Sequence, residues 1–76
     1  MELMETLYVV VCFMRQVRHV VTIKDSVLTV TEDLTKAHKF LSGEAAAIAA
    51  TVIQVRYKVS GAQAVDQDRM HHVTPR

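Results

Sequence analysis

The stretch Leu7–Met14, "LYVVVCFM", sets eight apolar residues in a row. It is far short of the roughly 18 apolar residues a membrane-spanning helix needs. A strand with one dry and one wet face would alternate, and this run does not. Its valines and aromatic rings favour a strand over a helix of the same length. The polar break "RQVR" at 15–18 leads into a second β-branched run, "HVVTI". The two read as a hairpin, without the Asn-Gly or Asp-Gly pair that marks the tightest turns. "KDS" at 24–26 has turn chemistry, and "VLTVT" at 27–31 reads as a third short strand or as the second continued beyond a bend.

After residue 31 the period changes. Thr31 or Asp33 can accept from the free amides of a first helical turn, and Glu32 and Asp33 suit the positive end of its dipole. Leu34, Ala37 and Phe40 then share one face of a short helix. Ser42 is the expected cap of a second helix opened by Gly43 and Glu44, with Ala45, Ile48, Ala49 and Val52 as its apolar stripe. "VRYKV" at 55–59 alternates Val55, Tyr57 and Val59 against Arg56 and Lys58, the pattern of a half-buried strand. Ser60-Gly61 is a turn, and "AQAV" at 62–65 offers a short edge strand. The expected architecture is α+β: a small antiparallel sheet of three or four strands, in chain order β-β-(β)-α-α-β, with helices packed on one face. One domain is expected over residues 7–65, between a lead-in at 1–6 and a polar tail at 66–76.

Composition sets the bounds. A chain of 76 residues makes one domain and buries a little over about 60% of the surface its unfolded form exposes. Half the residues are hydrophobic, yet there are only two Tyr, two Phe and no Trp, so Val, Ala, Leu and Ile must build the core. A net charge of +1 produces no field that would announce a nucleic acid or a membrane as partner. The single cysteine, Cys12, has no mate for an internal disulfide, and Glu2 and Glu5 stand where a secretion signal would carry Lys or Arg. A cytoplasmic setting without a membrane is the expectation.

Catalytic apparatus is not visible. Burial within an apolar run raises a thiol's pKa and leaves it inert, which describes Cys12. His19, His38, His71 and His72 are scattered, and no pair has the helical spacing of a zinc site. Glu32, Asp33 and Glu44 are explained as helix-start residues. Two glycines, Gly43 and Gly61, cannot build a phosphate-cradling loop. No enzyme, no cofactor, no metal site and no catalytic residue are expected.

The run at 7–14 is the handle on function. If helices cover the face of Leu7, Val9, Val11 and Phe13, then Tyr8, Val10, Cys12 and Met14 share the other face with Arg18, Thr22, Lys24, Arg56 and Lys58. Leaving such apolar side chains wet forgoes about 1.5–3 kcal/mol for each large one. Three covers are open: the chain's own terminal segments ("AQAV" or "MHHV"), a second copy making a homodimer, or a different protein. In the last case Tyr8, Val10 and Met14 are the apolar contacts, and Arg15, Arg18, Arg56 and Lys58 are the basic rim. The same cations beside the Tyr8 ring would also suit a single-stranded nucleic acid.

The segment Thr31–Ile48, "TEDLTKAHKFLSGEAAAI", resembles a pattern found in small proteins of phages and prophages of Gram-positive bacteria. A strand ends in Thr-x-Asp, an Ala-x-x-Phe turn follows, then a Ser/Thr-x-Glu-Ala helix start. Here those positions are Thr31, Asp33, Ala37, Phe40, Ser42, Glu44 and Ala45. The likeness covers roughly residues 7–59, and its motif consists of caps and core anchors. It implies a non-enzymatic module of a mobile element that binds and inhibits or adapts a host protein, as anti-CRISPR inhibitors do. The alternative is a small nucleic-acid-binding or regulatory accessory protein.

Overall fold

A computed structural model describes residues 6–75. Three consecutive strands, β1 (Tyr8–Met14), β2 (Val17–Lys24) and β3 (Val27–Thr31), form an antiparallel meander. A 3-10 turn (Leu34–Lys36) and one α-helix, α1 (Gly43–Tyr57), follow. The chain then returns as β4 (Gln63–Asp66), antiparallel to β1 on its free side, and ends in a 3-10 helix at Gln67–His72. The sheet order is β3-β2-β1-β4, with β1 and β2 central. The α+β class holds. The chain order departs from expectation, because a single α-helix stands where two were expected.

Both hairpins close through two-residue turns with positive φ at each centre, at Arg15 and Gln16 (54° and 66°) and at Asp25 and Ser26 (52° and 63°). That is the turn whose twist matches paired strands, and its usual residues are Asn and Gly. The first turn sets the register: Met14 pairs with Val17 and Phe13 with Arg18. Side chains opposite each other share a face. Arg18 therefore lies on the face of Val9, Val11 and Phe13, opposite to the face expected.

The helix covers the even-numbered side of β1. Val10, Cys12 and Val21 pack against Ala46, Ala49, Ala50 and Ile53, all buried, with Tyr8, Leu28, Val30, Phe40 and Tyr57 at the margin. Small residues let α1 lie close on the sheet. The odd-numbered side forms a second core: Val9, Val11, Val20 and Ala37 are buried beneath Leu34, Met70 and Val73, with Phe13 and Val65 at its edge. The 3-10 turn and the C-terminal segment are its lid. Val9, Val10, Val11 and Cys12 all have no exposed surface. The run does not alternate because β1 is dry on both faces.

Local capping follows the sequence closely at two points. Ser42 Oγ accepts from the Ala45 amide at 3.1 Å, closing the first turn of α1. Asp33 Oδ1 accepts from the Thr35 amide at 3.1 Å and from its hydroxyl, and these bonds hold the Asp33 carboxyl below its usual pKa. Between these caps the chain makes the 3-10 turn and then runs without regular structure to the Phe40 bridge, so Leu34 and Ala37 join the second core while Phe40 joins the first. Phe40 exchanges two backbone bonds with Tyr8, at 2.9 and 2.7 Å, and His38 N–H donates to the Val21 carbonyl at 2.9 Å. This segment fills the space where β1 and β2 diverge.

"VRYKV" is not a strand. Helix α1 runs through it to Tyr57, and Lys58 ends it in the left-handed conformation, φ 55°. The Val59 amide donates to the Gln54 carbonyl at 3.1 Å, the closing bond of a Schellman ending. A capped helix propagates until something stops it, and no Gly or Pro follows Gly43 until Gly61. Tyr57 lies one turn beyond Ile53 on the buried stripe, so the alternation of five residues also satisfies helical spacing.

The polar tail is tied to the sheet. Arg18 Nη2 donates to the carbonyls of Val73 (2.6 Å) and His71 (3.3 Å), and Gln67 N–H donates to the Leu7 carbonyl at 2.9 Å. Residues 1–5 of the expected lead-in and Arg76 lie outside the described residues.

Candidate functional site

The seven residues expected to meet a partner do not form one surface. Val10 is fully buried and Tyr8 half-buried under α1. The open face assigned to them does not exist, because α1 occupies it. Arg18 is half-buried and tied to the C-terminal segment, with its guanidinium 5.4 Å from the centre of the Phe13 ring. Arg56 sits in the last turn of α1, where its Nη1 donates to the Leu28 carbonyl at 2.8 Å. Leu28 belongs to the edge strand β3, so Arg56 blocks one acceptor through which another strand would add.

Met14, Arg15 and Lys58 remain, and the fold places them at one end of the molecule. The β1–β2 turn and the C-terminal end of α1 flank two adjoining shallow clefts that share Phe13 and Val59. One is completed by Met14, Arg15, Val17, His19 and Glu32, and the other by Gln16, Lys58 and the loop at 60–61. Val17 is 44% exposed. His19 Nε2 lies 3.8 Å from Glu32 Oε1 at the rim, and its Nδ1 is 2.9 Å from the Val17 carbonyl oxygen. The result is an apolar floor with Arg15 and Lys58 standing beside it.

The backbone beneath these side chains is costly. Arg15, Gln16 and Lys58 all have φ between 54° and 66°, a region where a side chain other than Gly or Asn costs about 1 kcal/mol or more. At each of these positions a small residue would be the stable choice, and at each the chain carries a long polar one. Residues kept in such conformations cluster at functional sites.

Sequence reasoning missed a second exposed feature. The outer side of α1 carries Ile48, Val52 and Val55, exposed to 60, 36 and 75%, and Leu41 just before the cap is 78% exposed. The stripe expected to be buried, Ala45, Ile48, Ala49 and Val52, is rotated from the real one, Ala46, Ala49, Ala50 and Ile53. The signal was present: α1 is apolar around nearly its whole circumference, so burying one side leaves another uncovered.

The chemistry available is limited. Burial pushes the pKa of the Cys12 thiol up and seals it from reagents. Among the described residues there is no group of three or more His, Cys, Asp or Glu side chains able to hold a metal ion. No helix among them is long and apolar enough to cross a membrane. No family model, curated protein or solved structure matches the chain.

Proposed function

We propose that the chain is a non-enzymatic protein-binding module that docks through the end formed by Met14, Arg15, Val17, Lys58 and Val59. The observation that carries this reading is the set of left-handed positions at Arg15, Gln16 and Lys58, which keep long polar side chains at a stability cost. Two cations around an apolar floor suit an acidic protein surface with a hydrophobic centre. The partner class comes from the sequence resemblance: a host protein bound and inhibited or adapted by a mobile-element protein, such as a CRISPR effector nuclease.

The test is binding of the purified chain to a purified effector nuclease, compared between wild type and Arg15→Glu/Lys58→Glu, across a salt series. Both substitutions are on exposed side chains, so the fold survives. The expected result is loss of binding by about tenfold or more, with mild salt dependence. Undiminished binding by the double variant removes this end as the docking site. Steep, linear loss of affinity with log salt on a nucleic-acid probe, together with no binding to the nuclease, would favour a nucleic-acid partner instead.

A further inference from the structure

The exposed side of α1 has a pattern of its own. Ala45, Ile48, Val52 and Val55 recur at spacings of three, four and three, with Leu41 four residues before Ala45. That is the seam spacing by which helices pair. Alongside it, at seven-residue intervals, stand Glu44 and Thr51 on the helix and Lys58 just past its end in the left-handed conformation. All three are exposed, and they read acid, neutral, base.

We propose that α1 pairs with α1 of a second copy of this chain, antiparallel about a two-fold axis passing near Thr51. The charge row selects both the occupant and the direction. Turned end for end, Glu44 of each copy meets Lys58 of the other, and Thr51 meets Thr51. A two-fold dimer with parallel helices would set Glu44 beside Ala49 of the other copy, which offers it no opposite charge. The apolar seam is self-complementary in the same arrangement, since the Ala45 end of one copy lies against the Val55 end of the other. Two-fold interfaces use the same patch on both subunits, and this patch meets that requirement. Antiparallel helix dipoles add a small favourable contribution. The helix is about 22 Å long and carries about two heptads of seam, so the dimer dissociates on dilution.

Lys58 also lines the docking end, so Ile48→Glu and Val55→Glu, which lie away from that end, separate this inference from the docking reading. Sedimentation equilibrium of the full chain from low micromolar to near millimolar concentration tests it. The expected result is a mass rising from monomer to dimer. Ile48→Glu and Val55→Glu, exposed positions where Glu is the better helix former, remain monomeric and folded by circular dichroism. Glu44→Lys and Lys58→Glu each raise the dissociation constant about tenfold, because two attractive pairs per dimer become repulsive. The double variant Glu44→Lys/Lys58→Glu restores association, although each change opposes the helix dipole. A monomer at every concentration overturns the inference. So does a dimer indifferent to Ile48→Glu and Val55→Glu, or a double variant no better than the singles.

Discussion

Arg18 joins the two halves of the second core, and its removal is the most informative single perturbation. Its Nη2 donates to the Val73 carbonyl at 2.6 Å in a part-buried setting, and more weakly to His71 at 3.3 Å. A hydrogen bond from a charged donor contributes about 1.5–3 kcal/mol, and the guanidinium over Phe13 about 0.5–1 kcal/mol. Arg18→Ala releases the C-terminal segment, whose regained chain entropy offsets part of the loss, leaving about 2–3 kcal/mol. A domain of this size has roughly 4–11 kcal/mol in total, at about 0.05–0.15 kcal/mol per residue. The Tm should fall by about 8–20 °C, and the Gln67 amide, bonded to the Leu7 carbonyl, should lose hydrogen-exchange protection. Arg18→Met is expected to cost less than Arg18→Ala. It keeps a long side chain in the part-buried setting and removes Nε, a buried donor without a partner. Arg18→Lys keeps the charge but not the planar donor fork, and should recover less than half. An Arg18→Ala variant within about 0.5 kcal/mol of wild type, with Gln67 still protected, would refute the assignment of Arg18 as the clamp.

Two further outcomes follow from the turn and the thiol. Arg15→Asn/Gln16→Gly places the preferred residues in the left-handed turn, and urea unfolding should show a gain of about 1 kcal/mol, while affinity for the protein partner falls; a loss of stability would mean the native side chains make contacts that outweigh their backbone strain. Cys12 should resist a disulfide reagent until the chain is unfolded. Burial raises its folded pKa, so its contribution is complete below the unfolded thiol's pKa and is lost as pH rises through the folded one, because the unfolded thiol ionises first. Cys12→Ala should flatten that alkaline limb in thermal melts, and an unchanged limb would assign it to another group.

The first three strands were legible because each is a run of β-branched residues bounded by polar punctuation, and "AQAV" was readable as an edge strand from the Ser60-Gly61 turn before it. The caps at Asp33 and Ser42 were legible because a side-chain oxygen at a helix start has one local job. What failed was everything that depends on register or on a stop signal. Arg15-Gln16 does not look like a two-residue turn, since neither residue favours positive φ, and without that turn the faces of β1 and β2 cannot be matched. A slip of one residue moves every side chain across the sheet, and Arg18 was misplaced in this way. The five residues at 55–59 satisfy both periods, and only the absence of a breaker after Gly43 decides for helix. The second face of β1 is covered by one of the three covers left open, since the "MHHV" stretch brings Met70 and Val73 onto it; isolated apolar residues in a polar segment could not decide between that cover, a second copy and another protein.

Lys58 connects the two surfaces proposed here. It stands beside the docking end, and it is also the base that Glu44 of a second copy would meet. One ammonium cannot serve both contacts fully, so self-pairing and partner capture should oppose each other through this residue. The coupling has a definite signature. Ile48→Glu, which removes the seam and leaves the docking end intact, should bind the partner more tightly than wild type at concentrations where the wild type is dimeric, and equally tightly when both are dilute. Arg15→Glu should weaken capture at every concentration and leave the dimer unchanged. Lys58→Glu alone should impair both. If Ile48→Glu binds the partner no better than wild type under dimerising conditions, Lys58 is not shared, and the docking end must rest on Arg15 and its apolar neighbours alone.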